Sequence, residues 1–196
     1  MNDSEVIQRF KDTGALLEGH FLLSSGLHSS VYLQSAIALQ NTTDAVEFGA
    51  AIATHFQKNA IDTVASPAIG GLVIGYEVAR QLSARFIWTE RESGRMTLRR
   101  GFTVKEGERV LVVEDVITTG GSTRDTIEAL RSAGADVIAA ASIIDRSGGQ
   151  AEVGVPRFSL ATLCMPALSP EECAACRRGD VAIKPGSRSL TSDAPR

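Results

Sequence analysis

The sequence has few cysteines, no long apolar run and no surplus of basic residues. Three cysteines in 196 residues are too few for a disulfide-built fold. No stretch of about 18 apolar residues could cross a bilayer, and Met1 to Glu5 lacks the basic and apolar regions of a signal peptide. The 20 Lys and Arg residues against 23 Asp and Glu residues disfavour a dedicated nucleic-acid binder. We therefore expect one cytoplasmic domain without a membrane segment or a nucleic-acid partner.

Strand-like and helix-like segments alternate along the chain. Ser4, as an N-cap, begins a first helix with Val6, Ile7, Phe10 and Leu17 at helical spacing. The segments that follow are strand-like 31–33, a helix over 44–56, strand-like 63–65, a helix over 72–82, strand-like 86–88, a strand over 110–113, a helix over 123–133 and a strand over 137–144. This alternation predicts an α/β domain with a mostly parallel sheet flanked by helices, and a ligand beyond the carboxyl ends of its strands. The polar residues 186–196 are expected to form a mobile tail.

The strand over 110–113 runs into the most informative segment of the chain. Two carboxylates, Glu114 and Asp115, come first, and hydroxyl and glycine residues then lead into a helix. Gly120 and Gly121 let successive N–H groups point at one spot, and the helix adds its positive dipole end, so we expect a phosphate site. The segment lacks the Gly-Lys-Ser/Thr ending of a triphosphate loop and the spaced glycines of a dinucleotide fingerprint. Adjacent carboxylates suit ribose hydroxyls, although a solvated strand end followed by a turn has the same composition.

The whole string from Val110 to Thr123 resembles the 5-phosphoribosyl 1-diphosphate (PRPP) signature of the type I phosphoribosyltransferases. The resemblance implies one domain with a central, mostly parallel sheet, a small hood built from about 1–40 and 155–185, and a flexible catalytic loop. It assigns PRPP binding to Glu114, Asp115, Val116, Ile117, Thr118, Thr119, Gly120, Gly121, Ser122 and Arg91.

Further segments, at 18–29, 66–71, 90–102 and 144–146, resemble the orotate phosphoribosyltransferases, and the resemblance covers nearly the whole chain. It implies transfer of the phosphoribosyl group from PRPP to orotate in pyrimidine biosynthesis, with Mg²⁺ held mainly by PRPP and no direct protein ligand. It also implies a homodimer whose catalytic loop is shared across subunits. Two alternatives stay open, a PRPP-sensing regulator of the same fold and an enzyme acting on another base.

The resemblance also assigns the contacts of the two substrates. Arg146 offers a planar fork to the orotate carboxylate, and Thr118 joins it. Ser24, Ser25 and Gly26 would supply amides and hydroxyls to the ring. The pyrophosphate loop comprises Ser66, Pro67, Ala68, Ile69, Gly70 and Gly71. Many relatives have an aromatic residue and Lys where Ile69 and Gly70 stand, and Lys where Ser24 stands, so this loop must rely more on backbone groups.

A basic segment from about Arg91 to Phe102 is the mobile loop that the resemblance implies, although its composition alone favours a solvated basic hairpin. By position, Arg91 and Arg95 would meet the leaving pyrophosphate, and Asp115 completes the expected catalytic set. The family usually has Lys in place of Arg95. Arginine keeps the charge but cannot donate a proton as lysine can.

Cys173 and Cys176 have the spacing of metal ligands, but they supply only two of the four ligands that structural zinc needs. We expect free thiols, with a four-cysteine site shared across a dimer as the alternative.

Overall fold

The computed structural model describes residues 1–23 and 25–185. They form two compact units. The first consists of Met1–Ala15 and Gln34–Cys164, and the second of Leu16–Leu33 with the chain from Met165 onward. The described residues of the second unit lie within the ranges named for the hood, while residues 1–15, 34–40 and 155–164 group with the first unit. The predicted mobile tail, 186–196, lies outside the described residues.

A six-stranded sheet is the centre of the first unit, and its order is β5-β4-β3-β6-β7-β8. Its strands are β3 (Thr63–Pro67), β4 (Arg85–Glu92), β5 (Arg95–Leu98), β6 (Arg109–Ile117), β7 (Asp136–Asp145) and β8 (Arg157–Thr162). All neighbours pair in parallel except β4 and β5. The apolar runs in β6 and β7 are buried on both faces, as a central parallel strand requires. The predicted α/β class is confirmed.

Helices cover both faces of this sheet. They are α1 (Asp3–Asp12), α2 (Ser35–Leu39), α3 (Thr42–Phe56), α4 (Gly71–Leu82) and α5 (Gly121–Ser132). Ile127 and Leu130 of α5 pack in one core cluster with Ile87 of β4. The preceding residue of β4, Phe86, contacts Tyr76 of α4 with ring centroids 6.0 Å apart. Because successive strand residues point to opposite faces, α4 and α5 lie on opposite sides of the sheet.

The first helix differs from the prediction at both ends. Its N-cap is Asn2, whose side chain accepts from the backbone N–H of Glu5 while the Glu5 carboxylate accepts from the N–H of Asn2. Ser4 therefore lies inside the helix. The helix ends at Asp12, before Gly14 with its positive φ, and Leu17 lies in a strand instead.

The segment expected as a loop from about Arg91 to Phe102 begins as a β-hairpin. Strands β4 and β5 pair in antiparallel register, with Glu92 opposite Arg95. The two residues between them, Ser93 and Gly94, both have positive φ, as a two-residue hairpin turn requires. The expectation of a mobile loop came from the family resemblance, whereas the composition of the segment alone favoured a solvated basic hairpin.

The second unit is built on an antiparallel hairpin of β1 (Leu16–Leu22) and β2 (His28–Leu33), together with the short helix α6 (Ala174–Arg177). Chain segments on either side of α6 pair with this hairpin. Ile183 bridges to Phe21, and Leu168 bridges to His28. Across the described ranges, no helix is both long and apolar enough to span a membrane.

Candidate active site

The turn from β6 into α5 forms the predicted phosphate loop. A pocket of about 240 Å³ lies over it and is lined by Arg91, Glu114, Val116, Thr118, Thr119, Gly120, Gly121, Ser122 and Asp125. Gly120 adopts φ +75°, and a Cβ there would lie 2.8 Å from a methyl of Val153. Only glycine fits both conditions. The 12-residue helix α5 starts at the next residue and directs its first N–H groups at the pocket.

Arg124 fixes the shape of this loop from outside. Its Nη1 donates to the carbonyl of Thr119 at 2.8 Å and to the carbonyl of Glu152 at 2.7 Å. The loop is thus tied to the segment after β7 without occupying the pocket. Sequence analysis did not single out Arg124, because an arginine in the first turn of a helix usually faces solvent.

The two adjacent carboxylates point to opposite faces of the sheet. Glu114 lines the pocket and accepts a hydrogen bond from the Thr123 hydroxyl. Burial raises the pKa of Glu114 to about 7, and the neighbouring Asp115 carboxylate raises it as well, while the Thr123 bond acts in the opposite direction. A glutamate with this pKa is partly protonated near neutral pH, so it can both donate to and accept from a ligand hydroxyl.

Asp115 faces the segment after β3. It accepts from the Ser35 hydroxyl at the start of α2. A Cβ on Gly70 would lie 2.7 Å from Asp115 Oδ1, so the absence of a side chain lets the 66–71 segment approach this carboxylate closely. Ser35 was missed by sequence analysis, since nothing in a sequence links positions 80 residues apart.

The predicted pyrophosphate segment offers no exposed polar side chain. The Ser66 side chain is buried beneath α4, where a Cβ on Gly75 would meet its Oγ at 2.0 Å. Ile69 is exposed, and the peptide bond between Ala68 and Ile69 is cis. Any ligand contact of this segment must therefore use N–H and carbonyl groups, as the sequence departures at Ile69 and Gly70 suggested.

Ile117 and Arg146 lie at the ends of neighbouring strands. The Arg146 backbone N–H donates to the Ile117 carbonyl at 2.8 Å, so Arg146 and Thr118 leave the sheet side by side. Ile117 itself is buried in the core, and its side chain does not line the pocket. Ser25 and Gly26 lie in the β1–β2 turn of the second unit, and Ser24 lies outside the described residues.

The basic hairpin contributes one arginine to the pocket. Arg91 lines it and is held by Asp125 and by the Gly94 carbonyl. Arg95 is exposed, and within residues 1–23 and 25–185 no ion pair is recorded for it. The other two arginines have carboxylate partners, since Arg99 pairs with Glu92 and Arg100 with Glu90.

Known proteins share both the sequence and the fold. The phosphoribosyl transferase domain model matches residues 39–160. The chain is 54% identical over 188 residues to the orotate phosphoribosyltransferase of Caldicellulosiruptor bescii, covering 96% of this chain and 99% of that protein. The orotate phosphoribosyltransferase of Thermotoga maritima is 52% identical over 186 residues, which cover 95% of this chain and 98% of that protein. The crystal structure of orotate phosphoribosyltransferase from Aeropyrum pernix matches with a TM-score of 0.66 and 32% identity, over 81% of this chain and 93% of that one.

The chain belongs to the orotate phosphoribosyltransferase family. The predicted family and fold are confirmed. The family's signature, read residue by residue onto Glu114 to Ser122, falls on the strand end and helix start that enclose the pocket.

Proposed function

We propose that this protein transfers the 5-phosphoribosyl group from PRPP to orotate, giving orotidine 5′-monophosphate and pyrophosphate. The observation that carries the proposal is the pocket over the loop 118–122, which combines helix N–H groups, a protonatable carboxyl and one arginine. Its location at the carboxyl end of β6 is where parallel sheets bind ligands. Assignment to de novo pyrimidine synthesis and to the cytoplasm follows from this activity as part of the proposal.

The 5′-phosphate would occupy the loop 118–122. Backbone N–H groups there and the start of α5 offer several donors to a dianion, and Arg124 keeps the loop in shape from outside. Thr118, Thr119 and Ser122 add hydroxyls at the pocket surface. The phosphate would anchor the substrate without taking part in bond breaking.

The ribose and the pyrophosphate would lie toward the two carboxylates. Glu114, which lines the pocket, would exchange hydrogen bonds with ribose hydroxyls. Asp115 faces Gly70 and the 66–71 backbone, which is the side proposed for pyrophosphate. As the bond to the leaving group lengthens, positive charge grows on the ribose ring, and a nearby carboxylate stabilises it.

Orotate would be held by Arg146 and Thr118, and the ring contacts expected of Ser24, Ser25 and Gly26 stay a prediction. The Arg146 guanidinium matches the orotate carboxylate with two parallel hydrogen bonds. No covalent intermediate is required, because a positioned orotate nitrogen can attack the anomeric carbon directly with inversion.

Arg91 and Arg95 would balance the charge that develops on the departing pyrophosphate. Arg91 already lies at the pocket, and Arg95 extends from the same hairpin without a carboxylate partner among the described residues. We propose that the protein is a homodimer and that this hairpin and the residues after it close over the neighbouring subunit's site, which excludes water from PRPP.

The donor set of the site fits Mg²⁺ held mainly by PRPP. In the described ranges, no group of three or more potential metal ligands gathers at the pocket, and both carboxylates already accept from hydroxyls. An ion that keeps several waters and binds through substrate phosphates needs few protein oxygens. When bound, Mg²⁺ would lower the charge of the pyrophosphate, and Asp115 is the protein carboxylate placed nearest the proposed pyrophosphate segment.

A turnover assay tests the proposal. Purified protein with orotate, PRPP and Mg²⁺ should remove the ultraviolet absorbance of orotate while releasing an equal amount of pyrophosphate. The result that would overturn the proposal is PRPP binding, measured calorimetrically, with no loss of orotate. That result would favour a PRPP-sensing regulator instead.

A further inference from the structure

Four side chains of the second unit bring their ligand atoms together. His20, His28, Cys173 and Cys176 each offer one nitrogen or sulfur, and these four atoms lie within 4.8 Å of one another. His20 Nε2 is 2.8 Å from His28 Nδ1. Cys176 Sγ is 3.1 Å from His28 Nδ1 and 3.5 Å from His20 Nε2, and Cys173 Sγ is 3.4 Å from His20 Nε2.

These separations are close to those of a four-coordinate metal site. Zinc bonds of about 2.0 Å to nitrogen and about 2.3 Å to sulfur, arranged tetrahedrally, place nitrogens about 3.3 Å apart and nitrogen and sulfur about 3.5 Å apart. The two sulfur contacts of His20 agree with the second value. The two shorter contacts require outward movements of about 0.5 Å, and the widest of the six separations, up to 4.8 Å, requires an inward movement of about 1 Å. We propose that His20, His28, Cys173 and Cys176 bind one structural zinc ion.

Local structure positions each of the four ligands. His20 lies on β1 and His28 starts β2, on the two strands of one hairpin. Cys173 is the N-cap of α6, and Cys176 follows three residues later, so both sulfurs lie on the same side of the helical turn. The backbone bonds of the two histidines hold the cysteine segment on both sides, since His28 exchanges bonds with Leu168 and the His20 carbonyl accepts from Ile183.

Groups outside the cluster prepare the ligands for a cation. His20 Nδ1 lies 3.1 Å from the carbonyl of Asp180 and donates to it, which leaves the lone pair on Nε2 directed at the cluster. The backbone N–H groups of Ala175 and Cys176 donate to Cys173 Sγ. A bound zinc ion would be held by two thiolates and two imidazoles, which together supply four ligands and two negative charges.

The ligand set favours zinc and a structural role. Tetrahedral sites with two sulfurs and two nitrogens are typical of zinc. Four protein ligands leave no open position for substrate. The unit that holds the site is short of apolar core, because its buried apolar side chains in the described ranges are Leu16, Phe21, Leu33 and Cys173. Small folds with little core are commonly stabilised by such a metal.

Metal analysis of the tag-free protein tests this proposal, and it does not depend on the proposed activity. After equilibration with zinc and gel filtration, we expect about one zinc per chain, and X-ray absorption should show a first shell of sulfur at about 2.3 Å and nitrogen at about 2.0 Å. Replacement of zinc by Co²⁺ should give the intense visible bands of a tetrahedral thiolate site. A protein that binds no zinc, or a first shell of oxygen alone, would overturn the proposal.

Matched variants locate the site. Cys176→Ser and His28→Ala should lose the bound zinc and melt at a lower temperature. Cys164→Ser, which changes an exposed free cysteine of the first unit, should keep it. Full zinc occupancy in both Cys176→Ser and His28→Ala would place the metal elsewhere and contradict the assignment. If those variants do not fold, the cobalt spectrum of the unaltered protein decides the matter.

Discussion

Arg91 donates from Nη2 to Asp125 Oδ2 at 2.9 Å, which joins the β4–β5 hairpin to α5 at the edge of the phosphate pocket. The pair is about half exposed, so it contributes little to stability. The ion pair instead positions Arg91, because it holds the guanidinium at the pocket before any ligand binds.

Arg91→Ala should therefore weaken PRPP use. Loss of a charge-assisted bond to phosphate is worth about 1.5 to 3 kcal/mol, so kcat/KM for PRPP should fall at least about tenfold. Arg100→Ala is the matched control, since Arg100 lies on the same segment, pairs with Glu90 and does not line the pocket. Equal losses in the two variants would show that general positive charge, and not the placement of Arg91, is what matters.

Arg95→Ala should lower kcat strongly with little change in melting temperature, because the side chain is exposed and makes no recorded ion pair in the described ranges. Arg95→Lys should restore most of the rate, since it keeps the charge. Steady-state kinetics and thermal melts on the three proteins check this. An unchanged kcat in Arg95→Ala would remove Arg95 from the proposed mechanism.

Sharing of the hairpin between subunits can be tested by complementation. Arg95→Ala and Arg146→Ala chains should each be poorly active, and co-expressed mixed dimers should recover activity. Recovery follows because one of the two sites then combines an intact Arg146 with an intact Arg95 from the neighbouring chain. Mixed dimers that stay as inactive as the parents would mean that the hairpin serves its own subunit.

Arg146→Ala should raise the KM for orotate far more than the KM for PRPP, because the guanidinium is assigned to the orotate carboxylate alone. The KM of Arg146→Lys for orotate should lie between those of the wild type and Arg146→Ala, since an ammonium keeps the charge and loses the planar fork. Initial rates with each substrate varied in turn separate these effects. A similar rise in both KM values would count against the assignment.

Glu114→Gln should change how stability depends on pH. The pKa of Glu114 is near 4.5 in an unfolded chain and about 7 in the folded protein, so the native state binds the extra proton between these values. The stabilisation that results is complete below the lower pKa and is lost as pH rises through the upper one. In denaturant unfolding, the free energy of unfolding of the wild type should fall by on the order of 3 kcal/mol relative to that of Glu114→Gln between pH 4.5 and pH 8. Parallel curves for the two proteins would mean that Glu114 is not buried as described.

The strand-to-helix turn at 110–123 was predictable because its determinants are local. An apolar run, two acids and two glycines sit within 14 residues, and each has its own conformational consequence. The side chains of Glu114 and Asp115 point in opposite directions because successive residues of a strand face opposite sides of the sheet. Their neighbours Thr123, Ser35 and Gly70 become visible only in the fold.

Other features depended on competing or distant signals. Helical spacing extended the first helix to Leu17, although Thr13 and Gly14 already supply a stop, and the Asn2 and Glu5 pair outweighed Ser4 as the cap. The histidine and cysteine cluster joins residues more than 140 positions apart. Cys173 and Cys176 alone therefore indicated free thiols, whereas the fold brings His20 and His28 of the same chain beside them.

Competition among acceptors tests the central claim most directly. Orotate, adenine, hypoxanthine and uracil at equal concentrations, with limiting PRPP and Mg²⁺, should yield orotidine 5′-monophosphate as the dominant nucleotide by mass spectrometry. The same mixture with Arg146→Ala should lose that product selectively. A purine nucleotide or uridylate as the main product would contradict the proposed specificity, and the absence of any nucleotide would contradict the proposed activity itself.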